Sequence, residues 1–359
     1  MRGHLLGILL LSSSLLLACG GSEPEPVAPP PPPPPPPVAV VAPPPADTTP
    51  PPPPEPTAEE KKKAEALKKL QEERAKWQEE NKAEMARWTP ELHAAAKALA
   101  SKAYPNLRAA VKAALAGPQR HPGNADRDSQ RHPLETLAFF GLRPNMTVLE
   151  VGPGEGWYTE ILAPTLAAKG KLIDTNNDPN GPDDSRGAFY GQRFKSFLDK
   201  APELYSSVQT VIVDGKAPKL DGVTNVDAVL LMREVHGMVG SGTLDAWLGE
   251  IRKAMKTGGV LGIEEHRAAP DADPMVSSKK GYVPEKWLID HIEGAGFKLA
   301  GKSEINANPK DTKDYPEGVW TLPPSLELGA KDREKYMAIG ESDRMTLKFV
   351  KVADKKAAK

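Results

Sequence analysis

An α/β domain with a mostly parallel sheet is expected from three features of the sequence. From about Asn106 to Val352, short apolar runs alternate with amphipathic segments, the pattern of strands joined by crossover helices. One run, Val148 to Val151, ends in three alternating glycines, Gly152, Gly154 and Gly156, placed as a turn between a buried strand and a helix. The prolines are the third feature: about half of the 39 lie between Pro24 and Pro56, which leaves room for one folded domain despite a length of 359 residues.

Residue type and period define the elements in order. Val148–Val151 is largely apolar, as a strand buried on both faces must be, and a helix runs from Trp157 to about Ala168. Lys171–Asp174 is the second strand, Val208–Val213 the third and Val226–Met232 the fourth. Leu244–Lys256 carries an apolar stripe at helical period and stops at Gly258-Gly259, releasing the chain into a fifth strand, Val260–Glu264. Pro284 to Glu293 is a helix closed by Gly294 and Gly296. Phe297–Ile305 and Met345–Val352 complete the sheet, the last strand antiparallel at its edge.

The chain ahead of this domain changes composition several times. Arg2 precedes the apolar stretch Leu5 to Leu17, too short to span a bilayer comfortably and laid out as a secretion signal over residues 1–18. It ends in Leu16-Leu17-Ala18-Cys19-Gly20, and Cys19 is the only cysteine, which excludes an intramolecular disulfide framework and a cysteine-based zinc site. Small residues before a lone cysteine resemble the bacterial lipobox. That resemblance implies a lipidated Cys19, a membrane as partner and a lipid-anchored place in the cell envelope. Gly20 after the cysteine favours the outer membrane facing the periplasm, by a sorting rule that varies among bacteria. A stray cysteine behind an ordinary signal peptide is the alternative.

Residues 19–56 form a Pro-rich disordered linker in extended polyproline II, on the order of 100 Å long at ~3.1 Å per residue. Residues 57–104 read as charged spacer helices, opened by Thr57 and Glu60 as a capping box. The possible seam Leu67, Leu70, Arg74, Trp77, Asn81, Glu84, Trp88 is interrupted by polar residues, which favours a solvated helix over a dimerising one. Thr89-Pro90 starts a second helix, a third lies near Pro105 to Ala116, the folded domain covers 105–352, and 353–359 is a flexible tail. A net charge of -1 gives no sign of a nucleic-acid partner.

The glycine turn carries the chemistry. Without Cβ atoms a ligand can press against the backbone, positive φ is open, and the following helix offers free N–H groups. A dinucleotide fingerprint G-x-G-x-x-G would need glycine at position 157, which is Trp157. The pattern E-x-G-x-G-x-G, with Glu150 at the strand end, resembles instead the first motif of class I S-adenosylmethionine-dependent methyltransferases. The resemblance implies that the turn passes under the amino-acid part of the cofactor and that Glu150 helps to hold it. A tight turn with no ligand, or with another nucleotide, is the competing reading. An acidic residue about twenty positions on is placed to accept from ribose hydroxyls. Asp174 is the first choice, with Asn177 and Asp178 as competitors. At the third strand end, Asp214 in the methyltransferase pattern accepts from the adenine amine. An Asp214-Gly215 turn that needs no ligand explains it as well.

Residues beyond the carboxyl ends of central strands face the ligand crevice. Arg233 and His236 follow the fourth strand and are the candidates for substrate contact and catalysis. A histidine there can orient a nucleophile or take its proton, or simply satisfy a carbonyl. His266 follows the fifth strand beside them. A metal shared with His236 is not expected, because no HExxH or facial-triad spacing is present.

A closer resemblance lies in four blocks: Arg131-His-Pro-Leu-Glu-Thr-Leu-Ala-Phe-Phe140, Gly156-Trp-Tyr-Thr-Glu-Ile-Leu-Ala-Pro164, Ser303-Glu-Ile-Asn-Ala-Asn-Pro-Lys-Asp-Thr-Lys-Asp-Tyr315 and Ile339-Gly-Glu-Ser-Asp-Arg-Met345. They are similar to a family of bacterial methyltransferases of unassigned substrate, from about Leu115 to Val352. The resemblance implies a seven-stranded Rossmann-like core, S-adenosylmethionine and an unidentified methyl acceptor. The long insert between the last two strands, 306–344, is either a lid or a packed excursion. Asn306, Asp311, Asp314, Tyr315 and Trp320 are its candidates for a substrate wall, together with Tyr158 and His266. The export signal and a cofactor made in the cytoplasm pull apart, so a non-catalytic envelope binding or scaffold protein on the same fold stands as the alternative.

Overall fold

The computed structural model describes residues 29–35 and 56–353. The chain divides into a unit ending at Glu55, of which only the exposed proline run 29–35 is described, and a unit from Pro56 onward. The signal segment, Cys19 and residues 354–359 of the tail lie outside the described residues. None of the described helices is long and apolar enough to cross a membrane.

One seven-stranded sheet organises the second unit. Its strands are β1 (Thr147–Val151), β2 (Lys171–Asn176), β3 (Gln209–Ile212), β4 (Val226–Met232), β5 (Met255–His266), β6 (Phe297–Ser303) and β7 (Arg344–Lys351), in the order β3-β2-β1-β4-β5-β7-β6. Helices α1 (Ala58–Arg87), α2 (Pro90–Ser101), α3 (Leu107–Leu115) and α4 (Pro133–Phe140) precede it. α5 (Thr159–Leu166) and α6 (Arg186–Asp199) flank β2 in sequence, and α7 (Val235–Gly240) and α8 (Leu244–Ala254) follow β4. α9 (Glu285–Gly294) leads into β6, and α10 (Arg333–Ile339) lies in the insert before β7.

Strand alternation feeds two cores. Leu149 and Val151 of β1 join Val229 and Leu231 of β4, Trp247 and Ile251 of α8 and Leu288 and Ile292 of α9 on one face. Val148, Ala228 and Leu230 meet Leu137 and Phe140 of α4, Ile161 of α5 and Phe194 of α6 on the other. Successive side chains point to opposite faces, so an unbroken apolar strand has to be covered twice, and the expected Rossmann-like three-layer fold results.

Three expectations are corrected. The antiparallel strand is β7, but it pairs with β5 on one side and β6 on the other, one place in from the edge. The reason is visible in its residues: Met345, Leu347 and Phe349 are fully buried, whereas β6 exposes Lys298 and Lys302, charges suited to an edge. Next, Gly258-Gly259 does not end a helix. α8 stops at Ala254, and the two glycines sit in an irregularity of β5 between the pairs Met255–Val226 and Val260–Ala228, with Gly258 at φ +76°.

The third concerns α1. Its capping box is present, Thr57 and Glu60 bonding each other's backbone N–H. Yet the helix is docked rather than solvated. Leu70 is buried, Arg74 donates to Gln192, and Trp77 meets Phe189 edge-on at 5.7 Å. Asn81 accepts from Ser196 at 2.8 Å, Glu84 accepts from Lys200 at 3.0 Å, and Trp88 enters the core. The stripe too polar for a coiled coil is matched to polar groups of α6 and the residue that follows it.

Candidate functional site

A cavity of about 1240 Å³ opens at the carboxyl ends of the parallel strands. Its floor is the turn after β1, where Gly152, Gly154 and Gly156 all take left-handed conformations, φ +66°, +60° and +81°. The three are not equivalent. A Cβ at Gly152 would stand 2.4 Å from the Glu234 carboxyl carbon, and one at Gly156 would stand 2.6 Å from the Phe197 ring. A Cβ at Gly154 would meet nothing within 4 Å among the described residues, and this glycine lines the cavity. The N–H of Gly152 donates to Thr175 Oγ1 at 2.9 Å, tying the turn to the end of β2.

Glu150 and Asp174 occupy paired positions of β1 and β2 and are both buried. Glu150 accepts from Thr159 Oγ1 at 2.8 Å, and burial pushes its carboxyl up to about 7. It lines a smaller cavity of about 240 Å³ that shares the glycine wall with the larger one. Asp174 lines neither cavity. Neither of its oxygens has a hydrogen-bond partner among the described residues, and burial together with Glu150 raises it well above the ordinary range. The cause of its misplacement is strand length: β2 continues to Asn176, so Asp174 lies within the sheet. The groups that do reach the cavity there are Asn176, Asn177 and Asp178. Asp214 is exposed on the cavity wall, and its Oδ1 also accepts the N–H of Lys216 at 2.9 Å, so turn and wall coexist.

Opposite the β2–β3 side stand Arg233, His236 and His266. Arg233 is a non-glycine residue at φ +64°, held by its N–H on Glu264 O at 2.7 Å and its guanidinium on Glu264 Oε1 at 3.2 Å. Such a conformation costs on the order of 1–3 kcal/mol and aims the side chain. Glu265 accepts from His236 twice, from the backbone N–H at 3.0 Å and at Nδ1 at 3.0 Å. Burial disfavours a charged imidazole at His236, but the Glu265 carboxylate outweighs it and raises His236 above its ordinary value. His266 pairs Nδ1 with Ser342 Oγ at 2.5 Å and is driven well below its ordinary value by burial, with the cations around it adding to the effect. Trp320 stands edge-on to His236, ring centroids 5.9 Å apart.

The other candidates for a substrate wall separate. Tyr158 lines the smaller cavity and donates to Glu264 at 3.0 Å. Asn306 lines neither: it is a buried brace, donating to Thr136 and Thr346 at 2.9 Å each. Asp311 accepts from the backbone N–H of Lys313 and Asp343, and Tyr315 stacks edge-on with Tyr336 in the insert's own core. Asp314 is exposed and also off the cavity. From the insert, Val319, Trp320, Pro323 to Ser325, Glu341, Ser342 and Arg344 form the wall instead.

Sequence reasoning missed a buried ion network within this wall, of which Arg131, Arg233, Glu341 and Arg344 line the cavity. Arg131 pairs with Glu341 at 2.9 Å, Arg344 bridges Glu341 at 2.6 Å and Glu264 at 2.7 Å, and Glu264 continues to Arg233. Arg131 and Glu341 belong to two of the blocks that carry the family resemblance. Opposite charges in two such blocks were the available signal.

No family model and no curated protein matches the chain. Among solved structures it is similar to an S-adenosylmethionine-dependent methyltransferase from Aquifex aeolicus, 22% identical over 50% of this chain and 87% of that one, TM-score 0.40. It is similar also to the [4+2]-cyclase SpnF, 14% identical over 63% of this chain and 82% of that one, TM-score 0.44. A third is the glycopeptide N-methyltransferase MtfA complexed with S-adenosylmethionine, 12% identical over 62% of this chain and 87% of that one, TM-score 0.39.

Proposed function

We propose that this chain is an S-adenosylmethionine-dependent methyltransferase, tethered to a membrane through Cys19, whose acceptor enters beside His236, His266 and Trp320. The observation that carries the reading is the left-handed glycine turn after β1, with open space where a side chain of residue 154 would stand. The cavity wall fits the parts of the cofactor in order along the sheet. The backbone of Gly152 to Gly154, with Glu150 beneath, takes the amino-acid part. Asn177 and Asp178, rather than the buried Asp174, take the ribose hydroxyls, and exposed Asp214 takes the adenine amine.

The bound cofactor supplies a methyl group already activated by its sulfonium. What the chain contributes is alignment and exclusion of water. Arg233, fixed in its left-handed conformation, and His236, fixed by Glu265, are assigned to contact with the acceptor. Titrating the full-length protein calorimetrically with S-adenosylmethionine and S-adenosylhomocysteine, with NAD as control, tests the reading. Micromolar-range binding of the first two is expected, abolished in Gly154→Leu. Unchanged binding in that folded variant would sink the assignment of the turn.

The second reading, a non-catalytic envelope binding protein, is favoured by the signal and lipobox sequence, which would carry the domain away from where the cofactor is made. Failure of the folded full-length chain to bind either cofactor form supports it. The tether is checked separately: Cys19→Ala loses incorporated lipid label and membrane association, and retention of both contradicts a lipid anchor.

A further inference from the structure

We propose that His236, Glu265 and His266 form a binding site for a divalent transition-metal ion on the acceptor side of the cavity. No sequence spacing announces it, because the ligands come from two strand ends. Parallel pairing of Met232 with Glu264 brings the ends of β4 and β5 level. His236, in the first turn of α7, then stands over the last two residues of β5, Glu265 and His266. One ligand atom from each of the three lies within 4.8 Å of the others.

The donor chemistry selects the class of ion. Two imidazoles and a carboxylate suit zinc, iron, cobalt or nickel, whereas magnesium and calcium prefer oxygen alone. His266 has its Nδ1 engaged with Ser342, which leaves its Nε2 for a ligand, and an ion would take the place of the proton between His236 Nδ1 and Glu265 Oε1, 3.0 Å apart. The Glu265 carboxylate accepts from the N–H of His236, the N–H of His266 and His236 Nδ1. The ion would take the position that His236 Nδ1 now fills, and one more of the roughly four lone-pair positions stays open.

The arginines that add to burial in lowering His266 are themselves paired with carboxylates. Arg131, Arg233 and Arg344 are all committed to Glu264 and Glu341. Glu234 and Glu265 have no arginine in ion-pair contact among the described residues. Both histidines line the cavity beside Trp320, so open coordination positions face the place assigned to the acceptor. An ion there would bind an oxygen-bearing acceptor and lower the pKa of its hydroxyl, a role that rests on the methyl-transfer reading, whereas binding of the ion itself does not.

The test uses the full-length protein, stripped with a chelator and titrated with Zn²⁺ by calorimetry and with Co²⁺ by visible absorption. One tightly held equivalent and a ligand-field spectrum are expected without any cofactor present. His236→Ala and His266→Ala each weaken Zn²⁺ by at least about 100-fold, and Ser342→Ala by about 10- to 100-fold. His291→Ala, at a surface histidine paired with Asp245, changes nothing. Where an alanine variant fails to fold, His236→Asn and His266→Gln replace it. Absence of the bound equivalent from folded wild-type protein, or its retention in both histidine variants, overturns the site. Zn²⁺ binding without S-adenosylmethionine binding would leave the site standing and remove the methyltransferase reading alone.

Discussion

Glu150 and Asp174 make the protein's stability depend on pH in a definite direction. In the unfolded chain both ionise near ~4. Folded, burial holds Glu150 to about 7 and Asp174 well above its ordinary value. Over that window the native pair binds more protons than the unfolded one, so its contribution to stability is most favourable in mild acid and is lost as pH rises. Asp174→Asn removes part of the penalty: it should raise stability at pH 8 by on the order of 2 kcal/mol and flatten the slope. Urea unfolding at pH 5 and pH 8 reads both, and parallel slopes for variant and wild type would refute it. The glycines separate in the same way. Gly156→Ala meets Phe197 and should cost about 2 kcal/mol or more. Gly154→Ala carries only the conformational cost of about 1 kcal/mol. Denaturation midpoints check the difference. Spacing alone marked the three glycines as a turn, but which of them faces a ligand depends on Glu234 and Phe197, residues distant in sequence.

At the scale of elements, the docking of α1 places a buried charge at risk. The Lys200 ammonium is almost fully enclosed, with Glu84 at 3.0 Å and Glu160 at 3.9 Å. Burial opposes ionisation of Glu84, but Arg87 and Lys200 outweigh it and bring its carboxyl down to about 2. Glu84→Ala should destabilise the protein by about 3 kcal/mol, because the ammonium loses its nearer partner while staying buried. Thermal unfolding measures it, and a loss under half that size would mean that Glu160 suffices. Removal of residues 1–56 should leave the melting temperature unchanged, whereas removal through residue 104 should lower it markedly, since Trp88 and Ala96 belong to the core. This contrast shows where the sequence was legible. Strands β1 and β4 announce themselves because burial on both faces demands unbroken apolar runs. The partner of α1 does not, because a helix with polar residues at Arg74, Asn81 and Glu84 looks solvated until the complementary groups of α6 are beside it. Asn306 was misread for the same reason: a polar side chain in a loop suggests a substrate, and its actual partners, Thr136 and Thr346, are far away in sequence.

On the scale of the whole molecule, the sheet gives one cavity two walls, which the proposed reading assigns to cofactor and acceptor respectively. The ends of β1, β2 and β3 supply the first, and the ends of β4 and β5 with the insert supply the second. Trp320→Ala should therefore reduce turnover of the acceptor by about tenfold or more while leaving the calorimetric affinity for S-adenosylmethionine within about twofold, a split that a shared wall would not give.

The pairing of β6 with β7 has one more consequence. Ser303 stands directly opposite Thr346, so the excursion that begins at 306 and ends at 344 leaves and rejoins the sheet at neighbouring points. Its own small core of Tyr315, Leu322 and Tyr336 is separate from the two that hold the sheet. Such a segment can grow, shrink or be exchanged without moving a strand. The fold thus behaves as a fixed chassis with a replaceable cartridge, one that brings Val319, Trp320 and Pro323 to Ser325 to the cavity from a segment anchored at two neighbouring points of the sheet.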